Sequence, residues 1–232
     1  MGTTRPVPHY TFADKYDASH AKVYFEKHNA GVFRRLSNWR EQSMARRALA
    51  LAGNPKSVLD LPCGTGRFWE TLAEDPDRLI HVADNSRDMI DTGLALRPPE
   101  ITRRIADARC CSAFETGFPD DYVESVFCFR LLHHIGKRED RVRMLKEFAR
   151  ISSGTVIVSL WVDGNYRAYR EQKRLARKER ETGNIEHNRY VIRRQDIEAD
   201  FVAAGLSVIG HVDFLKYWEK WRAYVLSVNK GA

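Results

Sequence analysis

The sequence predicts an α/β protein built on an open, mostly parallel, doubly wound sheet, and three observations predict it. Short β-rich runs alternate with helical ones from residue 57 to residue 161. A glycine-bearing turn follows the first of those runs. Two further β-rich runs are joined by only Lys216-Tyr217-Trp218-Glu219-Lys220, a connection short enough to make nothing but an antiparallel hairpin. Seven strands with helices on both faces, an α/β/α sandwich with a terminal hairpin, satisfy this pattern.

The segment 1–55 reads as helical, with apolar residues at mixed three and four spacing over 17–26 and 34–51. Gly53-Asn54-Pro55 stops the second of these helices. Buried strands follow at 57–61 and 79–83, each leading into a helix, at 67–72 and 87–96. The alternation continues with strands at 101–106 and 123–129, a helix at 139–151 and a strand at 155–161. A long polar helix over 166–181 and another over 194–204 precede the hairpin strands at 206–215 and 221–228.

Composition bounds what this fold can serve. With 232 residues, of which 43% are hydrophobic, the chain builds one ordinary core, and a single domain over 1–232 is expected. Within it we expect a helical cap at 1–55, a core at 56–162, a basic helical insert at 163–193, and a closing helix and hairpin at 194–232. No run approaches the roughly 18 apolar residues of a membrane span. The start, Met1-Gly2-Thr3-Thr4-Arg5-Pro6, has no apolar stretch and places Pro6 where a myristoylation motif wants Ser or Thr. Cys63, Cys110, Cys111 and Cys128 form neither a disulfide framework nor CxxC pairs, so reduced thiols in a cytoplasmic protein are expected. The net charge of +7 is concentrated: between Asn165 and Arg194 ten Arg or Lys face four Glu.

In doubly wound sheets ligands bind beyond the carboxyl ends of the strands, beside the first one. The turn there is Asp60-Leu61-Pro62-Cys63-Gly64-Thr65-Gly66-Arg67-Phe68. Gly64 and Gly66 remove side chains where backbone must approach a ligand, and free N–H groups at the next helix start favour a polar or anionic group. A GxGxxG dinucleotide fingerprint needs Gly or Ala where Trp69 stands, and no GxxxxGK[ST] occurs. Dinucleotides and nucleoside triphosphates are therefore disfavoured. Asp84 follows the glycine turn at the spacing, roughly 20 residues, at which an acidic residue ending the second strand accepts ribose hydroxyls.

The run Val58-Leu59-Asp60-Leu61-Pro62-Cys63-Gly64-Thr65-Gly66 resembles the first motif of the class I S-adenosylmethionine-dependent methyltransferases of the small-molecule type. Pro62 departs from it, standing where that family commonly has Gly. Val82-Ala83-Asp84-Asn85-Ser86-Arg87-Asp88-Met89, Ala106-Asp107-Ala108 and Phe127-Cys128-Phe129-Arg130-Leu131-Leu132-His133-His134-Ile135 are similar to its later landmarks, in order. The resemblance implies a Rossmann-like sheet of strand order 3-2-1-4-5-7-6 and S-adenosylmethionine as cofactor. It implies that Asp60, Pro62, Cys63, Gly64 and Gly66 surround the methionine end, with Asp84 and Asn85 at the ribose. Met89, Asp107 and Ala108 would then face the adenine, with Phe129, Arg130 and Tyr16 closing the site.

Methyl transfer from a sulfonium is an in-line displacement governed by positioning and desolvation, and it needs no metal. Where the acceptor must lose a proton, His133 or His134, after the fourth strand, is a candidate general base. His28 and His187 are further candidates, and Tyr10, Tyr16 and Tyr24 are candidates for a lid or for packing. Arg130 and His28 are candidate acceptor contacts, as are Arg170 and Arg174 in a basic stripe at helical spacing. That stripe suits an anionic acceptor, sugar- or lipid-linked, an acidic membrane surface or RNA, and a solvated helix face is the alternative. RNA base methylation is disfavoured, because Phe129-Arg130-Leu131-Leu132 stands where base-amine methyltransferases usually carry Asn or Asp, Pro-Pro and an aromatic. A donor-binding sensor or partner subunit without turnover, and an RNA-binding methyltransferase, stand as alternatives.

Overall fold

Short β-branched and aromatic runs become the strands of one mixed sheet in the computed structural model, which describes Pro8 and residues 31–183 and 188–230. The first half runs α1 (Val32–Leu51), β1 (Ser57–Asp60), α2 (Trp69–Leu72), β2 (Leu79–Asp84), α3 (Arg87–Leu96), α4 (Pro99–Thr102) and β3 (Ile105–Cys110). After β4 (Val123–Cys128), a 3-10 turn at Leu132–His134 leads to α5 (Arg138–Ile151), β5 (Ser152–Val162) and α6 (Tyr166–Thr182). The remainder is β6 (Val191–Ile192), α7 (Arg194–Ala203), β7 (Leu206–Asp213) and β8 (Trp221–Val228).

Hydrogen bonding orders the sheet β3-β2-β1-β4-β5-β8-β7. The first five strands in that order are parallel; β8 is antiparallel to β5 and to β7. This is the order the resemblance implies. One strand more is present than the seven expected, because Val191 and Ile192 pair with Trp161 and Val162. Two residues leave no periodicity to read.

The alternation of side chains along a strand explains why the central strands read as continuously apolar. Leu59, Val126, Cys128, Val156 and Val158 face the core under α5 and α7, which contribute Met144, Phe148, Ile197 and Phe201. Val58, Phe127, Ile157 and Val225 face the other core, with Met44 and Ala48 of α1, Trp69 of α2 and Ile90 of α3. One charged group is set into the first layer. Asp200 is fully buried and accepts from Arg138 Nε at 2.9 Å and Arg141 Nε at 2.8 Å. Arg141 in turn donates to the carbonyls of Ile135 and Gly136, fixing the loop after the two histidines. Asp200→Ala strands the buried Arg141, so urea denaturation is expected to show a loss of about 3–5 kcal/mol.

Helix ends follow their sequence signals. Asn165 caps α6 by accepting from the Ala168 N–H at 2.8 Å, and Gly183 ends it at φ 63°. The third strand is displaced from 101–106 to Ile105–Cys110, since Pro99 at the first helical position sets a helical turn that takes in Ile101.

Candidate active site

The parallel register brings three strand ends to one edge. Asp60 pairs with Val82 of β2 and with Phe127 of β4, so the loops after β1, β2 and β4 emerge side by side. The glycine turn is tied to its neighbours by backbone bonds, Leu61 N–H to the Phe127 carbonyl at 3.0 Å and Cys63 N–H to the Ala83 carbonyl at 2.9 Å. Asp84 then fastens both loops. One of its oxygens accepts the Gly64 N–H at 2.8 Å and the other the Ser86 N–H at 3.0 Å. The turn needs glycine at position 66, where φ is +73° and a Cβ would lie 2.4 Å from the Trp69 ring.

One cleft opens at this edge. It is lined by Pro62, Cys63, Gly64, Asp84, Asn85, Met89, Phe129, Arg130 and His134, all singled out by sequence, together with Thr65, Arg67, Phe68, Ser86 and Leu131. Asp60 ends β1 beneath the turn, fully buried, with neither carboxylate oxygen hydrogen-bonded among the described residues. Burial first, then the nearby Asp84 carboxylate, hold its carboxyl well above the usual range; the Trp69 indole opposes this. Asp84 is also raised by burial, against the N–H groups of Ser86, Gly64 and Asn85.

Asp107 and Ala108 lie outside the cleft lining. They lie inside β3, paired with His81 and Val82, while Cys110 is the residue level with Asp84. Asp107 accepts instead from the Tyr122 hydroxyl at 3.3 Å, away from the cleft lining. The displaced third strand is the cause: moving it four residues onward carries Asp107 back from the strand's end into its middle. Tyr10, Tyr16, Tyr24, His28 and His187 lie outside the described residues.

The two histidines have different surroundings. His133 is buried away from the cleft, stacked on Trp161 at 4.9 Å and edge-on to Trp221 at 4.8 Å. His134 lines the cleft and its Nδ1–H donates to the Asn188 carbonyl. Burial is the main cause holding both rings low, His133 well below the ordinary 6.5 and His134 at about 4. Each is therefore neutral at pH 7. In NMR titration the His134 ring resonances are expected to stay flat from pH 8 to about 5.5. The unfolded chain takes up these protons first, so the pair's stabilising contribution is whole above pH 6.5 and is lost as pH falls towards 4. Asp60 and Asp84, with raised carboxyls, act in the opposite direction.

Sequence reasoning missed Glu41. This α1 carboxylate is buried at 6% exposure and accepts from Arg130 Nη1 at 2.9 Å, with Arg67 Nη2 at 3.1 Å. A signal was present: Glu41 shares the i, i+3, i+4, i+7 stripe of the buried Met44, Ala45 and Ala48. Arg130 sits at φ 68°, its N–H bonded to Ser159 Oγ at 2.9 Å, and its guanidinium lies 5.0 Å from the Trp221 ring centre. The basic helix α6 begins at the same sheet edge. Arg170 and Arg174 line a separate groove with Glu219 and Lys220, and Arg174 pairs with Glu171 at 2.6 Å.

Residues 58–153 match the family model described as a methyltransferase domain. The fold is similar to magnesium protoporphyrin IX methyltransferase from Synechocystis PCC 6803 with bound SAH. The TM-score is 0.71 at 14% identity, over 94% of this chain and 98% of that one. It is also similar to a SAM-dependent methyltransferase from Methanosarcina mazei, with TM-score 0.58 at 15% identity, over 74% and 92% of the two chains. No curated protein matches the chain. Domain match and fold agree: residues 58–153 form a methyltransferase domain, set in a fold similar to that of S-adenosylmethionine-dependent methyltransferases.

Proposed function

We propose that the chain methylates an anionic oxygen, such as a carboxylate, on a small, sugar-linked or lipid-linked acceptor. The donor would lie in the cleft at the carboxyl edge, within the core at 56–162, and the insert at 163–193 would face the acceptor. The observation that carries this reading is the conjunction of the Arg130 guanidinium in a largely apolar cleft with His134, the histidine of its lining, held far from a near-neutral base. A carboxylate acceptor arrives without a proton to lose. Among the described residues, His133 and His134 are the nearest ring bases and both are held far below 7, poor matches for general-base work at neutral pH.

The residues present fit the donor. Asp84 offers carboxylate oxygens to a ribose diol, with Asn85 and Met89 beside it in the lining. Asp60, a buried carboxyl group without hydrogen-bond partners among the described residues, would be drawn to its charged form by the ammonium at the methionine end. When bound, S-adenosylmethionine supplies a methyl group whose bond electrons pass to sulfur as the acceptor oxygen takes the carbon. Phe129 and Phe68 keep that side of the cleft apolar, and Arg130, poised on Glu41, is placed to exchange that carboxylate for one on the acceptor.

Calorimetric titration with S-adenosylmethionine and S-adenosylhomocysteine, followed by transfer of tritiated methyl to fractionated cell extract, tests the reading. Micromolar donor binding and label released as volatile methanol on mild alkali are expected. Alkali-stable label would exclude the carboxylate acceptor; absence of donor binding at millimolar concentration would exclude methyl transfer altogether.

A further inference from the structure

A second surface stands at the sheet edge that carries the cleft. Trp221 pairs with Trp161 across the antiparallel β5–β8 ladder, so the β7–β8 turn emerges where β5 ends and α6 begins. The turn and the helix are stitched together: the Tyr166 N–H donates to the Tyr217 carbonyl and the Arg167 N–H to the Trp218 carbonyl, each at 3.0 Å. The product is a ridge of Tyr217 and Trp218 from the turn with Tyr166 and Tyr169 from the helix, 45–75% exposed.

Positive charge is interleaved with these rings. Lys216 lies 5.0 Å from the Tyr217 ring centre, Arg170 lies 5.8 Å from that of Tyr166, and Lys173 lies 4.6 Å from that of Tyr169. None of the three cations has a carboxylate partner among the described residues, whereas farther along α6 Arg174 and Arg177 pair with Glu171 and Glu181. Uncompensated charge and exposed aromatics therefore coincide at the start of the helix.

We propose that this ridge docks the protein on an anionic lipid bilayer. Tyr and Trp favour the headgroup boundary, where an apolar ring body and a polar edge are both accommodated. Cations beside them gain from acidic headgroups. No helix among the described residues is long and apolar enough to cross a membrane, so the contact is peripheral, and it turns the donor cleft's edge towards the bilayer. Single-stranded nucleic acid is a poorer fit, since base stacking uses open ring faces. Here Tyr166 and Trp218 stack on each other at 4.8 Å, and Tyr169 and Tyr217 each carry a cation.

Cosedimentation of the full chain with phosphatidylcholine vesicles, with and without phosphatidylglycerol, tests this. Binding to the acidic vesicles alone, weakened by salt, is expected. The triple variant Arg170→Gln, Lys173→Gln, Lys216→Gln should lower partitioning roughly a hundredfold, about fivefold per cation. Trp218→Ser should lower it about tenfold through lost apolar burial. Donor affinity measured on both variants should equal that of the parent, which keeps a failure here separate from a failure of the methyl-transfer reading. Three outcomes would overturn the proposal: no preference for acidic vesicles, a triple variant that partitions like the parent, or a labelled single-stranded oligonucleotide bound more tightly than vesicles through the same residues.

Discussion

Asp84→Asn should weaken S-adenosylmethionine binding at least a hundredfold while leaving the chain folded. The carboxylate accepts two backbone N–H groups, from Gly64 and Ser86, one on each oxygen. An amide retains one acceptor and presents an NH₂ to the other donor, so whichever way it turns, one loop is pushed off its position. Charged hydrogen bonds to a ribose diol contribute about 1.5–3 kcal/mol each, and a diol makes two. The substitution also relieves burial of a charge, which offsets part of the damage to the unliganded protein. Calorimetry with donor and demethylated product, alongside thermal melts without ligand, separates the two effects. Parental affinity in the variant would remove Asp84 from the donor site.

Gly66→Ala should be the most destabilising small substitution in the turn, at about 2–5 kcal/mol. Two costs add. An L residue at positive φ is strained by roughly 1–2 kcal/mol, and the new methyl would lie 2.4 Å from the ring of Trp69. Trp69 is fully buried and tightly packed, with Gly93 so near that a methyl there would lie 2.9 Å from the indole. Forcing a core apart costs about 1–3 kcal/mol more. Gly183→Ala is the control: its φ is +63° but nothing among the described residues lies within 4 Å of the added Cβ. Urea denaturation should show about 1 kcal/mol there. Equal losses at both positions would mean that backbone conformation alone, without the indole, accounts for the effect.

Why was the cleft readable while its acceptor side was not? The cleft's residues come from three strand ends, and a parallel sheet forces those ends together, so strand order brought Gly64 and Asp84 to one edge, while Phe129 was placed there by the resemblance. Asp107 lies away from the cleft because its placement depended on a boundary. The β-branched Ile101-Thr102 pair reads as strand, yet Pro99 commits it to a helical turn. Glu41 was hidden for another reason: its place on the buried stripe of α1 was legible, but its partners Arg67 and Arg130 come from distant loops that no helical spacing reveals. Likewise His133 and His134 are adjacent in sequence but differ in burial, since a 3-10 turn points neighbouring side chains in different directions.

The position of β8 between β5 and β7 bears on how the chain is made. During synthesis β7 precedes β8, the only strand among the described residues that connects it to the sheet, so it must wait unpaired. Until Trp221–Val228 exists, the apolar β5 keeps one long edge open, a template for pairing with another nascent chain. Assembly from the first strand to the last in order of translation is thus excluded by topology. The sheet closes instead through the ladder that joins Thr155 to Ser227 and Trp161 to Trp221, a contact between segments with two helices and two strands of chain between them.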